Sequence, residues 1–399
     1  MQDSIEAGTP AFRRTAYALA AAGFSTFAVL YAVQPLLTVF AEEFGVGPAA
    51  SSLSLSLATG LLAVSLLVVS PLSEVFGRKP VMVVSLFSAA LLTLVAAAMP
   101  TWHGFLAVRA LAGLAMSGVP AVAMAYLSEE MHGRALGLAM GLLISGNSLG
   151  GMAGRLLSGA LADRLGWRAA LAAIGLLALA AAIAFARGLP PSARFTPRPL
   201  PWRAVPGSFL HHFRDAGLPW LFAEAFLLMG GFVTLYNYIG FRLLAPPYAL
   251  SQTAVAAIFA VYLAGTASST AAGHAASLFG RRRVLWLAIA AALGGVALTL
   301  AESLVLIVLG IVVATVGFFG AHSVASSWVG RRARRDRAQA SSLYLFLYYL
   351  GSSVLGTAGG WFYAQAGWTG VAAFVGALYG AALLAALRLA LLAPLPEAP

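Results

Sequence analysis

Long apolar stretches separated by short polar turns run through the whole 399-residue chain. Most reach the roughly 18 residues that let a helix cross a hydrocarbon core of about 30 Å. The pattern predicts helical spans near 15–40, 51–73, 80–99, 104–127 and 135–162, a sixth ending near Arg187, and six more near 220–243, 251–276, 284–301, 303–328, 340–364 and 369–392. The first is interrupted by Gln34-Pro35. Between Arg187 and Pro219 the apolar signal stops and four further Arg and six Pro intervene, too polar and too broken to span. The predicted organisation is therefore a polar tail (1–14), a six-span unit (15–187), a linker (188–219), a second six-span unit (220–392) and a short tail (393–399).

The two units repeat each other. Phe76-Gly77-Arg78-Lys79 returns 203 positions later as Phe279-Gly280-Arg281-Arg282, again between two apolar runs. Gly150, Gly159, Gly166 and Trp167 return at a spacing of 201 as Gly351, Gly360, Gly367 and Trp368. Six spans bring the chain back to its starting side, so both copies run in the same sense, as in a parallel repeat about an axis along the membrane normal. The fold class that follows is an all-α membrane protein of twelve transmembrane helices in two pseudo-symmetric bundles. Trp167, beside an outer turn, is expected as an interface anchor.

Composition sharpens this. Hydrophobic residues make up 61% and charged residues 9%, far from the roughly 25% charged residues of soluble domains. The net charge of +11 raises nucleic acid as a partner, but its placement removes that class. With the N-terminus inside, 19 of the 24 Lys and Arg fall on that side, Arg109 and Arg155 lie within spans, and Arg164, Arg168 and Arg242 fall outside. That is the positive-inside bias. Both termini are expected to be cytoplasmic, in a multi-pass inner (plasma) membrane protein whose first apolar run is too long for a cleaved signal. With no cysteine, thiolate chemistry and disulfides are excluded. No P-loop sequence is present for ATP, and no catalytic constellation stands inside the spans. His211-His212 with Asp215 suggest a metal site, but a fourth ligand is missing and a solvated loop is expected.

On these residues the chain resembles the major facilitator superfamily, particularly its twelve-helix drug:proton antiporter branch, over essentially its full length. Ser70 to Lys79 is similar to the family's loop signature in its Leu72, the acid Glu74, Gly77 and the basic pair Arg78-Lys79. The second copy retains Gly280, Arg281 and Arg282. The resemblance implies an inner gate in which Glu74 and Arg78 make charge pairs to a neighbouring helix end; a positive-inside anchor is the plainer alternative. Arg109-Ala-Leu-Ala-Gly113 resembles the branch's R-x-x-x-G, implying proton transfer at Arg109. Gly146-Asn147-Ser148-Leu149-Gly150-Gly151 resembles its G-P-x-x-G-G antiporter signature with Asn147 in place of Pro, and glycines at that density let helices approach closely.

Charges inside a membrane cost about 2.5–3.5 kcal/mol even on the lenient scale, so Arg109, Arg155, Glu224 and, when protonated, His322 call for an explanation. Glu42 and Glu43 are the expected counter-charges to the two arginines. Glu224 is the acid well inside a predicted span, and a carboxyl in low dielectric prefers its neutral form; Glu224 and His322 are the candidate coupling groups. The resemblance adds a cavity lined by Tyr31, Gln34, Arg109, Tyr236, Asn237 and His322. A proton-coupled exporter of a small organic or drug-like solute is expected, with a solute importer or sugar-efflux carrier as the alternative. It would work without cofactor, metal or nucleic acid, as a monomer in the bilayer.

Overall fold

A computed structural model describes residues 4–197 and 205–392. Part of the expected linker and the tail 393–399 lie outside the described residues. Among these residues the chain is helical, with one isolated β-bridge, between Ile5 and Met131.

Among the described residues nine helical stretches are long and apolar enough to cross a membrane. Two of these are double. Gly133–Gly188 breaks at Gly166 and Arg337–Leu391 at Ala366 and Gly367, where the backbone leaves helical geometry. Arg281–Leu298 adds another helix of 18 residues with three arginines in its first turn. The spans are thus α1 (Pro10–Phe44), α2 (Pro48–Phe76), α3 (Arg78–Ala97), α4 (Trp102–Glu130), α5 (133–165), α6 (167–188), α7 (Leu218–Leu244), α8 (Gln252–Phe279), α9 (Arg281–Leu298), α10 (Leu304–Arg332), α11 (337–365) and α12 (368–391). α1 starts five residues before its predicted onset, because Thr9 caps it by accepting from Phe12 N and Pro10 suits the first helical position.

The repeat holds at the level of single contacts. Gly77 and Gly280 both take a positive φ, 92° and 87°, at the reversals α2–α3 and α8–α9, a conformation that a side chain would strain. Just beyond, Lys79 Nζ donates to Leu189 O at the end of α6. Its counterpart Arg282 donates to Ala390 O (2.9 Å) and Leu392 O at the end of α12. The donors Lys79 and Arg282, and the acceptors Leu189 and Leu392, are related by the same 203 residues. Close helix contacts repeat as well: a Cβ on Gly150 would stand 2.1 Å from Phe24 O, and one on Gly351 would stand 2.1 Å from Phe226 O. Backbones meet there because nothing larger than hydrogen fits between them.

Two compact units result. The first comprises Met1–Val46, Leu53–Leu200 and Leu250–Phe259, the second Gly47–Ser52, Pro201–Ala249 and Ala260–Pro399. The start of α8 therefore groups with the first unit and the start of α2 with the second. In the first unit α1 packs chiefly on the stretch Gly133–Gly188; in the second α7 packs on the stretch Arg337–Leu391.

Trp167 is not an interface anchor. It is buried, with its ring 5.3 Å from Phe40, 5.8 Å from Phe44 and 5.5 Å from Phe105, because the aromatic rings at the ends of α1 and α4 leave a pocket that its large apolar surface fills.

Candidate functional site

The site in the first unit grows out of the break in α1. Pro35 has no N–H to donate, and the regular helix ends at Tyr31 before a single 3-10 turn, Gln34–Leu36. In a membrane interior the carbonyls of such a break need donors from elsewhere. Side chains supply them. Arg109, 1% exposed, donates through Nη2 to Leu30 O (3.0 Å) and Nη1 to Val29 O (3.4 Å), and through Nε to Ser54 O in α2 (2.9 Å). Ser158 Oγ donates to Ala32 O at 2.6 Å, and Gln252 Nε2 donates to Pro35 O. A fixed cation at the C-terminal end of a helix also complements the helix dipole.

Arg155 lies beside the same break. Its Nε donates to Gln34 Oε1 (2.6 Å) and its Nη1 to Gly151 O (2.8 Å). The guanidinium lies 3.9 Å from the centre of the Tyr31 ring and 5.1 Å from that of Phe259. Tyr31, Gln34, Gly151 and Arg155 thus form one buried group. Of the two expected counter-charges, Glu43 plays another part. Arg109 makes its bonds to carbonyls, and among the described residues no carboxylate comes within 4.0 Å of it; Glu43 pairs instead with Arg168 at 3.0 Å. The break offers carbonyls at the level of the arginine, whereas the two glutamates sit in the last turn of α1. Gly146 meets the backbone of Ala20, and Asn147 turns its Oδ1 over Gly23, where a Cβ would stand 2.1 Å away.

In the second unit, Glu224 is 0% exposed and neither carboxyl oxygen has a hydrogen-bond partner among the described residues. Between α10 and α11, Tyr344 Oη lies 2.9 Å from His322 Nδ1. Further along α7, Tyr236 Oη lies 2.7 Å from Thr315 Oγ1, and Phe232 stacks on Phe318 with centroids 3.8 Å apart. Asn237 is buried next to Tyr236. The sequence points to Glu224, His322, Tyr236 and Asn237 separately; Tyr344, which meets His322, escapes notice as one of several tyrosines in an apolar run.

At the basic turn of the first unit, Arg78 forks onto Glu129 (Nη2 to Oε1 2.6 Å, Nε to both oxygens at 3.1 and 3.2 Å), while Glu74 is 3.9 Å away and half exposed. Arg78 thus meets a neighbouring helix end, that of α4, and the acid pair Glu129-Glu130 closing an apolar run is the signal that could have revealed it. The linker histidines are not a solvated loop. His212 is buried with its ring 3.9 Å from that of His211, and burial lowers its pKa. Asp215 caps α7 through Gly217 N and Leu218 N (both 2.8 Å) and pairs with Arg332. Burial opposes its ionisation, but these bonds outweigh that and hold its pKa below the ordinary value. Among the described residues no cluster of three or more His, Asp or Glu could hold a metal.

Comparison with known proteins agrees with this architecture. The sequence profile described as Major Facilitator Superfamily matches residues 19–252. The chain is similar to the inner membrane transport protein YnfM of Escherichia coli (52% identical, covering 96% of this chain and 92% of YnfM). It is also similar to the MFS-type transporter YybF of Bacillus subtilis (48%, covering 93% and 92%). In three dimensions it resembles the crystal structure of a variant of the nucleoside transporter NupG, with a TM-score of 0.78 at 16% identity over 94% of this chain and 99% of that one, a likeness of fold.

Proposed function

The chain belongs to the Major Facilitator Superfamily, a membrane transporter of small molecules rather than an enzyme, and we propose that it is a proton-coupled exporter of a small organic solute. The observation that carries the coupling is Glu224, sealed in the second unit without a hydrogen-bond partner among the described residues. An ionised carboxylate there faces a desolvation cost of several kcal/mol. The neutral acid does not, so sealing the site requires a proton and releasing that proton requires water. A group with this property ties protonation to access, which is what exchange of a solute for a proton needs.

Arg109 and Arg155, in this scheme, hold the broken α1 in shape, with Tyr31 and Gln34 presented beside it and Tyr236 and Asn237 serving the second unit. Export rests on the likeness of Gly146 to Gly151 to the antiporter signature. The basic turns argue for an inner-membrane protein with both termini cytoplasmic, working as a monomer, and the name of the Escherichia coli relative supports the location.

The test uses inverted vesicles from cells producing the protein, acidified inside by respiration and monitored with a pH-sensitive dye. A panel of organic solutes is added one at a time. A transported solute should dissipate the gradient in producing vesicles and leave control vesicles unchanged. Solute flux without any proton movement would refute coupling.

A further inference from the structure

The basic turn of the second unit lacks the partner that its copy in the first unit has. In the first unit Arg78, the first residue of α3, forks onto Glu129 in the last turn of α4. Arg281 is the first residue of α9, 203 positions on, behind the same positive-φ glycine. α4 and α10 match at a spacing of 202: each is closed by an extended residue, Met131 and Ala333, whose N–H donates back to Leu127 O and Val329 O. The residue of α10 that answers to Glu129 is therefore Arg331. The helix pairs also meet in the same register. A Cβ on Gly118 of α4 would stand 2.5 Å from Ser85 Cβ of α3, and a Cβ on Gly320 of α10 would stand 3.5 Å from Ala288 Cβ of α9. These contacts are again related by 202 and 203 residues, Gly118 to Gly320 and Ser85 to Ala288. Seven residues of helix lead from Ser85 to Arg78 and from Ala288 to Arg281, and eleven from Gly118 to Glu129 and from Gly320 to Arg331. Regular helix geometry then sets the backbones of Arg281 and Arg331 as those of Arg78 and Glu129 are set.

Two cations thus converge where the first unit holds a cation and a carboxylate. Among the described residues no carboxylate lies within 4.0 Å of Arg281 or Arg331; Asp215 and Asp336, the acids nearest in sequence to this end of α10 and α7, pair with Arg332 and His211. The first turn of α9 holds no acid. Arg331 is exposed and Arg281 half-buried, so an anion can reach both from outside the fold. The apolar side chains of Leu278, Phe279 and Trp286 flank the turn in sequence and are exposed as well. In a membrane-spanning protein such side chains meet acyl chains, and tryptophan favours the headgroup level.

We infer that Arg281 and Arg331 form a binding site for the phosphate of an anionic phospholipid in the leaflet that holds the basic turns. A phosphate between the two guanidiniums supplies the negative charge that Glu129 supplies in the first unit, and planar guanidiniums suit its oxygens. The lipid is then a removable partner. Glu129 is built into the chain, whereas the second turn is tied to the end of α10 when an anionic headgroup is present. Basic clusters at the foot of a span attract anionic lipid in a general way; the paired geometry adds a preference for these two arginines over the exposed Arg334 and Arg335 beside them. The site is independent of the proton coupling proposed above.

The test uses the full-length protein in phosphatidylcholine nanodiscs, with spin-labelled phosphatidylglycerol or spin-labelled phosphatidylcholine as the probe and the immobilised fraction read by electron paramagnetic resonance. Wild type should prefer the phosphatidylglycerol probe by about thirtyfold, two arginines each contributing about fivefold. Arg281→Gln and Arg331→Gln should each lower that preference by about fivefold, and Arg335→Gln by less than about twofold, since one unpaired surface charge adds little. Arg331→Glu rebuilds in the second unit the pair of the first. It should abolish the preference, and its melting temperature should be the same with and without phosphatidylglycerol, whereas wild type should melt higher with it. No preference in wild type, or equal losses in the three glutamine variants, would overturn the site, the second result leaving only diffuse attraction. Displacement of the probe by inorganic phosphate, but not by chloride at the same ionic strength, would overturn the lipid as its occupant.

Discussion

Replacing Arg109 by alanine should cost stability chiefly through backbone groups that no substitution touches. The guanidinium makes two good bonds, to Leu30 O at 3.0 Å and Ser54 O at 2.9 Å, and a long one to Val29 O at 3.4 Å. A buried acceptor that loses its donor costs about 1–3 kcal/mol, so the two strong bonds, with little added by the weak one, give about 2–6 kcal/mol. Arg109→Lys keeps the charge but lacks the planar fork that reaches α1 and α2 together, and should lose about half as much. Unfolding of the purified carrier by SDS, followed by tryptophan fluorescence, provides the measure. The order wild type, Lys, Ala is expected, with the alanine variant binding protons and solute only as far as it remains folded. Wild-type stability in Arg109→Ala would refute the capping role and return Arg109 to the mechanism.

Other outcomes follow from the same contacts. Gly150→Ala drives a methyl into the Phe24 carbonyl and should destabilise by about 1–3 kcal/mol, whereas Gly141→Ala, with nothing within 4 Å of its Cβ, should be neutral or stabilising by up to about 1 kcal/mol; the same SDS titration separates them. Glu129→Gln removes the main partner of Arg78 and should change the transport rate more than Glu74→Gln, as initial rates in vesicles would record; equal effects would discount the Arg78–Glu129 fork. The depressed pKa of Asp215 means its ionised form stabilises the fold above the unfolded value of about 3.9 and that this contribution is lost as pH falls through the folded value. Asp215→Asn should therefore lower stability at neutral pH and flatten the acid limb of the stability curve.

The parts of this molecule that were legible in the sequence are those governed by periodicity and backbone geometry. Apolar runs set the spans, and Gly77 and Gly280 announced two reversals by standing between such runs at the same place in each repeat. What escaped depends on partners without a residue code. The acceptors of Arg109 are two carbonyls at a helix break and one in α2, invisible as letters, so the sequence offers only the acids Glu42 and Glu43 as counter-charges, and neither pairs with Arg109. The sequence neighbours of Trp167 point to the membrane interface, whereas Phe40, Phe44 and Phe105 from two other helices decide its place. The linker histidines looked solvated because the surrounding sequence is polar, yet Asp215 and Arg332 draw that segment onto the foot of α7.

The most direct test of proton coupling through a sealed carboxyl is the number of protons moved per solute in Glu224→Gln, read with an entrapped pH dye in proteoliposomes beside a labelled solute. Wild type should move protons in fixed proportion to solute. The variant, whose amide cannot ionise, should exchange solute with no accompanying proton; a proton-to-solute ratio equal to that of wild type would contradict the account.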